Sequence, residues 1–397
     1  MQVRFRPDLR VEKPGLRTPV SLMIDDSSPG EPIYSEFVEE FSRLVEETGV
    51  KGKFTVMPYT FPEALDQALR GERPARIRRL LEEVRRHIVP NFDITPEMLT
   101  HNPVVDLRTG GFVYPCVPEH IWSQGQDAET LAPYIARALR ILKEVGLEAT
   151  GVTSPANFGR DVEGEYARAV LEAQKQVNGR SLTWYFLHVE PEAGTVLPRL
   201  VLVDEARREA VVSITSGYGD YRRDPELEGR PISEKALRYA DQYIAPNGGG
   251  GRLVELFRAG SYIIFHHHWW RMMEDRRLGF EVLREVVGRM GEAFGEGIRW
   301  MRTSEVAEYW AASECVEVEA EEEGGELHLE FSSPFPCRDF TVSLPSQMKV
   351  EVVLKEGREM VRTKPPLTSN SWCTMGGRLY ICFDLDFRTI VLIRGRR

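Results

Sequence analysis

Over most of its length this chain alternates short apolar runs with amphipathic helical patterns, and few folds accommodate that alternation. Val20–Ile24 (VSLMI) precedes SEFVEEFSRLVEETG (35–49). There Phe37, Val38, Phe41, Leu44 and Val45 share one helical face, and Gly49 stands where a helix-ending glycine belongs. KFTVM (53–57), the helical ARIRRLLEEVRRH (75–87) and VPNFDI (89–94) follow. Asp127 is placed to cap AETLAPYIARALRILKEVG, and EATGVTS (148–154) precedes GEYARAVLEAQKQV. SLTWYFLHV (181–189) and SYIIFHHHWW (261–270) are further strand candidates, and GIRWMR (297–302) leads into a last helix, TSEVAEYWAAS. Repeated strand–helix units predict an α/β fold, a parallel sheet with helices outside it. Seven or so units over about 310 residues suit a barrel better than an open sheet, although spacing alone leaves that choice open.

The pattern changes near Ser313. CVEVEAE, ELHLEFS, FTVSLP, KVEVVLK, LYICFDL and TIVLIRG are short, alternating and separated by turns. They predict a small antiparallel β-sandwich, with the acidic run ending at Gly324–Gly325 as a solvated hairpin turn. The expected organisation is two domains, 1–312 and 313–397, packed together without a low-complexity linker. A net charge of −10 argues against nucleic-acid binding. No apolar run approaches the roughly 18 residues a membrane span needs. The first fifteen residues hold no apolar stretch suited to secretion, so the expected location is cytoplasmic. Five cysteines without CxxC spacing argue against structural zinc and for reduced thiols; Cys337–Cys373 and Cys315–Cys382 pairings stay open.

Three stretches carry chemistry. In MIDDSSP, Asp25 and Asp26 stand at the C-terminal end of an apolar run, where parallel α/β folds place their site residues. The bland alternative is a pair of turn or helix caps. In NFDITPEMLTHNP, Glu97 and His101 are spaced i, i+4, so one helical turn aims both at a common point. A carboxylate and an imidazole suit zinc, cobalt or nickel, with Asp106 as a spare ligand; otherwise they are a surface pair. In SYIIFHHHWWRM, His266 and His268 share one face of a strand and His267 the other, and a histidine there can act as a general acid. Trp269 and Trp270 form a sugar-stacking wall or part of the core. PNGGGGRL (246–253) lacks the Lys-Ser/Thr of a phosphate loop and reads as a loop over the site. His87, His120, His188 and His328 are isolated and read as structural.

Together these stretches resemble the polysaccharide deacetylase (NodB-homology) family. MIDDSSP matches its Asp-Asp after the first strand, KGKFTVMP its second strand, EMLTH its HxxxH, and YIIFHHH its final strand-to-histidine motif. The resemblance covers roughly residues 18–312 and implies a distorted (β/α)7 barrel with metal-dependent hydrolysis of N-acetyl groups on sugars. It implies Asp26, Glu97 and His101 as ligands of a divalent metal, zinc first, cobalt or nickel as alternatives. Asp25 becomes the general base and His266 the general acid, with His268 the alternative. Pro155, Asn157, Trp184 and Trp269 fall where substrate binds. The chain departs from the family in having Glu97 for the first histidine, in keeping Pro155 of TSPANFG without the arginine, and in reducing an Asp-Trp motif to Trp184. Two anionic ligands would neutralise a divalent ion and leave its bound water less acidic. Adjacent strand residues point to opposite faces, so a turn at Ser27–Pro29 has to break the strand if Asp25 and Asp26 are to act together. The expected substrate is a small carbohydrate or oligosaccharide rather than a wall polymer, with no nucleic-acid or membrane partner. The sandwich binds sugar or joins copies into a homo-oligomer. Two other readings stay open: a catalytically inactive carbohydrate-binding protein, and a glycoside hydrolase whose paired carboxylates need no metal.

Overall fold

A computed structural model describes residues 8–31, 33–60, 63–70, 74–346 and 349–396, so the first seven residues of the N-terminal stretch lie outside the described residues. Seven parallel strands follow one another around a ring: β1 (Thr18–Asp25), β2 (Gly52–Thr55), β3 (Phe92–Thr95), β4 (Val152–Thr153), β5 (Leu182–Val189), β6 (Glu209–Ser216) and β7 (Ile263–His268). Continuous ladders join β7–β1–β2–β3 and β4–β5–β6. The ladders do not close the expected barrel. Isolated bridges alone span its two seams, Ile94–Ala149 and Glu97–Thr153 on one side and Tyr218–Phe265 on the other. At the first seam β4 is only two residues long, which leaves little strand to form a ladder with β3. Two short additions lie outside the ring order: Ile298–Trp300 runs parallel to the start of β1, and Arg199–Asp204 runs antiparallel to β6.

Alternation along β1 sorts its side chains. Val20, Leu22 and Ile24 face outward into a core shared with the helix Tyr34–Thr48, where Phe37 and Phe41 stack on Phe54 of β2. Fully burying each such side chain contributes about 1.5–3 kcal/mol. Gly49 closes this helix in the left-handed conformation, and the Asp127 side chain caps the helix Ala128–Glu144, both as the sequence predicts. At Gly52 a Cβ would lie 1.6 Å from the Leu22 carbonyl oxygen, so only glycine lets β2 approach β1 there. On the inner face, Met23 joins a second core with Trp184, Phe186, Val212, Ile214 and Ile264.

That second core continues through the helix Thr303–Cys315 into the sandwich, taking in Val306, Ala311, Phe331, Phe340 and Phe383. The helix is anchored by its first turn. Asp93 of β3, buried, accepts hydrogen bonds from Ser304 N–H (2.6 Å) and Ser304 Oγ–H (2.9 Å), and Ser21 Oγ meets Thr303 Oγ1 at 3.1 Å. The C-terminal segment forms two five-stranded sheets. One of them takes in Arg10–Val11, paired antiparallel with Val342–Ser343, a strand that a division at residue 312 leaves out. The acidic hairpin turns at Gly324–Gly325, both at positive φ. All five cysteines are free. Among the described residues no helix is long and apolar enough to cross a membrane. The helix Trp269–Phe294, which the sequence reading did not anticipate and whose first two residues it placed in a strand, is broken by three consecutive left-handed residues, Asp275, Arg276 and Arg277. Each such non-glycine residue costs about 1–2 kcal/mol.

Because Asp93 satisfies the helix N-terminus from inside the ring, Asp93→Ala is expected to lower unfolding free energy by about 2 kcal/mol in urea denaturation. Ser304→Ala, which keeps the backbone donor paired, is expected to lose less.

Candidate active site

The strand β1 ends at Asp25, and Asp26 adopts a left-handed conformation (φ 61°). That turn cancels the strand alternation and brings both carboxylates to one end of the ring. The strand thus breaks at Asp26 itself, one residue before the expected Ser27–Pro29 turn. Asp25 is buried and its Oδ1 is paired with Lys53 Nζ, whose side chain has no exposed surface. Lys53 also donates to Thr153 Oγ1 (2.9 Å), which meets Thr95 Oγ1 at 2.8 Å, and lies 5.0 Å from the centre of the Phe186 ring.

Glu97 and His101 do meet Asp26, though not on a helix. Residues 97–101 form a turn with Met98 (φ 50°) and His101 (φ 70°) left-handed, and Glu97 bridges to Thr153. The residue that shapes the turn, Glu119, lies eighteen positions beyond His101. Buried, it accepts from the N–H groups of Leu99 (3.0 Å) and Thr100 (3.2 Å) and from the Tyr134 hydroxyl (2.6 Å). His101 Nε2 lies 3.0 Å from Asp26 Oδ1 and 3.5 Å from Glu97 Oε1, and Glu97 Oε2 accepts from Asp26 N–H at 2.8 Å. Ligand atoms of the three residues lie within 4.8 Å of one another. Asp106 stays out of this cluster: it caps an exposed turn by accepting from Arg108 N–H at 2.9 Å.

The electrostatics of the trio describe a shortage of positive charge. Burial, then the Asp26 charge, pushes Glu97 up to about 8. Burial opposes the charged form of His101, but its hydrogen bond to Asp26 and the Glu97 charge raise it to about 9. Burial also opposes ionisation of Asp26; hydrogen bonding from His101, the nearby His268 charge and a bond from Trp270 bring it down to about 2. A divalent cation would supply the missing charge, and one imidazole with two carboxylates is a donor set that zinc, cobalt or nickel accepts. The trio therefore fits such a metal.

The three histidines divide differently from their sequence pattern. His266 and His268 do share the inner face of β7. His266 is held below the rim, its Nδ1 3.0 Å from Ser216 Oγ and its ring against the backbone of Gly219, and burial pushes it down to about 4. His268 carries a partner that sequence reading missed, Asp220: Nδ1 lies 2.6 Å from Asp220 Oδ2, and Nε2 faces Asp26 Oδ2 at 3.9 Å. Burial opposes the His268 charge, but the Asp220 hydrogen bond and the surrounding carboxylates raise it to about 9. His267 Nδ1 lies 3.2 Å from Asp220 Oδ1, and against burial these two histidines hold Asp220 far below the usual carboxylate range.

The tryptophans correct another expectation. Trp269 is buried against Tyr34 and Phe37, and Trp184 lies in the inner core beside Gly151, so neither ring lines the site. Trp270 does: it is 40% exposed, donates Nε1–H to Asp26 Oδ2 at 2.8 Å, and sits 5.5 Å from the His268 ring. Pro155 is buried, and Asn157 is exposed, its carbonyl accepting from Gln124 Nε2 at 2.6 Å.

Two outcomes are expected. Lys53→Met leaves Asp25 as an unmatched buried charge and should lower stability by about 3–5 kcal/mol, while adding Asp25→Asn should recover at least half, read by chemical denaturation. His101 and His268 bind a proton more tightly folded than unfolded. The stability they contribute is complete below about pH 6.5 and is lost as pH rises through about 9. Glu97, raised to about 8, changes stability in the same direction. Chelator-treated protein should therefore melt at progressively lower temperature between pH 6.5 and 9, and Asp220→Asn should flatten that slope.

No family model matches the chain, and no curated protein matches its sequence. Among solved structures, one described as a polysaccharide deacetylase of Mycobacterium smegmatis is 15% identical, over 78% of this chain and 94% of that one, with a TM-score of 0.46. A 4-α-glucanotransferase of Thermococcus litoralis is 13% identical over 73% of this chain and 40% of that one, TM-score 0.40. A structure described as a glycoside hydrolase/deacetylase of Parabacteroides distasonis is 8% identical over 83% and 81%, TM-score 0.41. Likenesses this distant carry no activity across to this chain.

Proposed function

We propose that this chain is a metal-dependent hydrolase that removes N-acetyl or related acyl groups from a carbohydrate, on a ring equivalent to a distorted (β/α)7 barrel. The observation that carries the reading is the convergence of Asp26, Glu97 and His101, with the Asp220–His268 pair facing them across Asp26. Asp26, Glu97 and His101 would hold a divalent ion, zinc first, with cobalt or nickel as alternatives. Bound there, such an ion would supply a Lewis acid that lowers the pKa of a water molecule and polarises an amide carbonyl.

The remaining steps belong to side chains. Asp25 accepts the proton of the attacking water, its orientation set by Lys53. Asp220 fixes the Nδ1 side of His268, so Nε2–H faces the reacting centre and protonates the leaving nitrogen. Geometry favours His268 over His266 for this step, because Ser216 and Gly219 confine the His266 ring below the rim. Trp270 holds the outer oxygen of Asp26 and offers an exposed ring face to a sugar.

Purified full-length protein is expected to hold about one divalent transition metal per chain by elemental analysis, and Asp26→Ala to lose it. Acetate release from small N-acetylated sugars should stop in chelator and return with zinc, cobalt or nickel. His268→Ala should lower kcat at least about 100-fold while leaving metal content unchanged. Glycosidic cleavage that survives chelator would replace the proposal with the glycoside-hydrolase reading, and metal binding without any turnover would replace it with the inactive binding protein.

A further inference from the structure

Between His101 and Glu119 the chain leaves the ring and returns to it. Pro103 bridges Pro118, Val104 N–H donates to the Val117 carbonyl at 2.9 Å, and Glu119 N–H donates to the Asn102 carbonyl at 2.6 Å. The return brings the Glu119 side chain back to the turn that carries His101. Three donors converge on its Oε1: the N–H groups of Leu99 and Thr100, and the Tyr134 hydroxyl, which itself accepts from Val105 N–H at 3.2 Å. Tyr134 is fixed in turn by the helix Ala128–Glu144 and by the Trp122 ring, 4.8 Å away between centres. Among the described residues, Glu119 Oε2 is buried without a hydrogen-bond partner.

A carboxylate kept in this way is costly. One of its oxygens loses water without gaining a partner, so an apolar side chain of similar size would serve the core better. What an apolar side chain cannot do is accept from two successive backbone N–H groups, and the turn needs that acceptor. Glu97 and His101 are four positions apart, but no helix brings them together, and Met98 and His101 are left-handed, a conformation unfavourable for residues that carry a Cβ. The Glu97 end is held by its bridge to Thr153, whose N–H donates to the Pro96 carbonyl at 2.9 Å. Toward His101, the Leu99 carbonyl accepts from Tyr59 N–H at 3.1 Å, and the next two donors, buried, both go to Glu119. Glu119 itself stands outside the cluster of candidate ligands.

We propose that Glu119 is a positioning residue for the Asp26–Glu97–His101 site: it holds the turn in its metal-accepting shape before an ion arrives, and thereby sets the affinity for that ion. The inference rests on the metal reading of the trio. The test is titration of chelator-stripped full-length protein with cobalt(II), followed by visible absorption, in wild type, Glu119→Leu, Glu119→Gln and Tyr134→Phe. Glu119→Leu is expected to bind cobalt about 10- to 100-fold more weakly, and Glu119→Gln, which keeps an acceptor oxygen, to stay within about threefold of wild type. Tyr134→Phe, which removes one of the three donors, should lose about threefold. At saturating cobalt, kcat for acetate release should be nearly the same in all four proteins. A role in stability alone would lower the melting temperature of Glu119→Leu and leave its cobalt affinity unchanged, which overturns the proposal. Glu119→Gln binding as weakly as Glu119→Leu also overturns it, because charge and not the hydrogen-bonded turn would then set the affinity. If Glu119→Leu does not fold, Tyr134→Phe decides, and wild-type affinity in that variant overturns the proposal. The expected order of affinities in a protein that releases no acetate upholds the positioning role and overturns the deacetylase reading; absence of cobalt binding to wild type overturns both.

Discussion

A lysine without water needs a counter-charge, and in this ring of strands Lys53 finds it in Asp25. The pair sets the geometry of everything above it. Lys53 also bonds Thr153, so one ammonium ties together β1, β2 and β4 across the seam that no ladder spans. Breaking such a pair by removing one partner costs several kcal/mol, which makes it a rigid point from which the rim can be built. With Asp25 pulled inward, the left-handed backbone of Asp26 carries the next carboxylate toward Glu97 and His101.

Above that point two clusters of opposite character face each other. Asp26, Glu97 and His101 crowd two carboxylates against one imidazole, and Glu97 responds with a raised pKa. Asp220 is a single carboxylate between two imidazoles, and its pKa is strongly depressed. His268 stands between them, bonded to Asp220 and facing Asp26. One side has room for added positive charge and the other holds a proton ready at Nε2. The proposed hydrolysis would use that asymmetry to separate the roles of electrophile and acid.

Most of the strand and helix framework was legible in the sequence because apolar periodicity is a local property. Val20, Leu22 and Ile24 announce β1, and the helix caps at Gly49 and Asp127 appear where their residue types require. The Asp26–Glu97–His101 trio was named in the sequence through the family resemblance, on residues that follow the ends of β1 and β3. Its local conformation was not. The i, i+4 spacing of Glu97 and His101 suggests a helix, yet Glu119 draws the backbone of Leu99 and Thr100 into a turn. The two adjacent tryptophans were ambiguous for a similar reason: β7 ends between His268 and Trp269, and the start of the helix sends Trp269 inward and Trp270 to the rim.

The sequence by itself determined the alternation of strands and helices, the all-β C-terminal segment, and the chemical types gathered at the ends of β1 and β7. Each of these depends on residues within a few positions of one another. Tertiary structure alone decided that Lys53 answers Asp25, that Asp220 orients His268, that Arg10–Val11 completes a sheet of the sandwich, and that the ring stays open at two seams. Those outcomes join residues from 28 to more than 300 positions apart. They follow from desolvation and parallel register, which act between segments only once those segments have packed together.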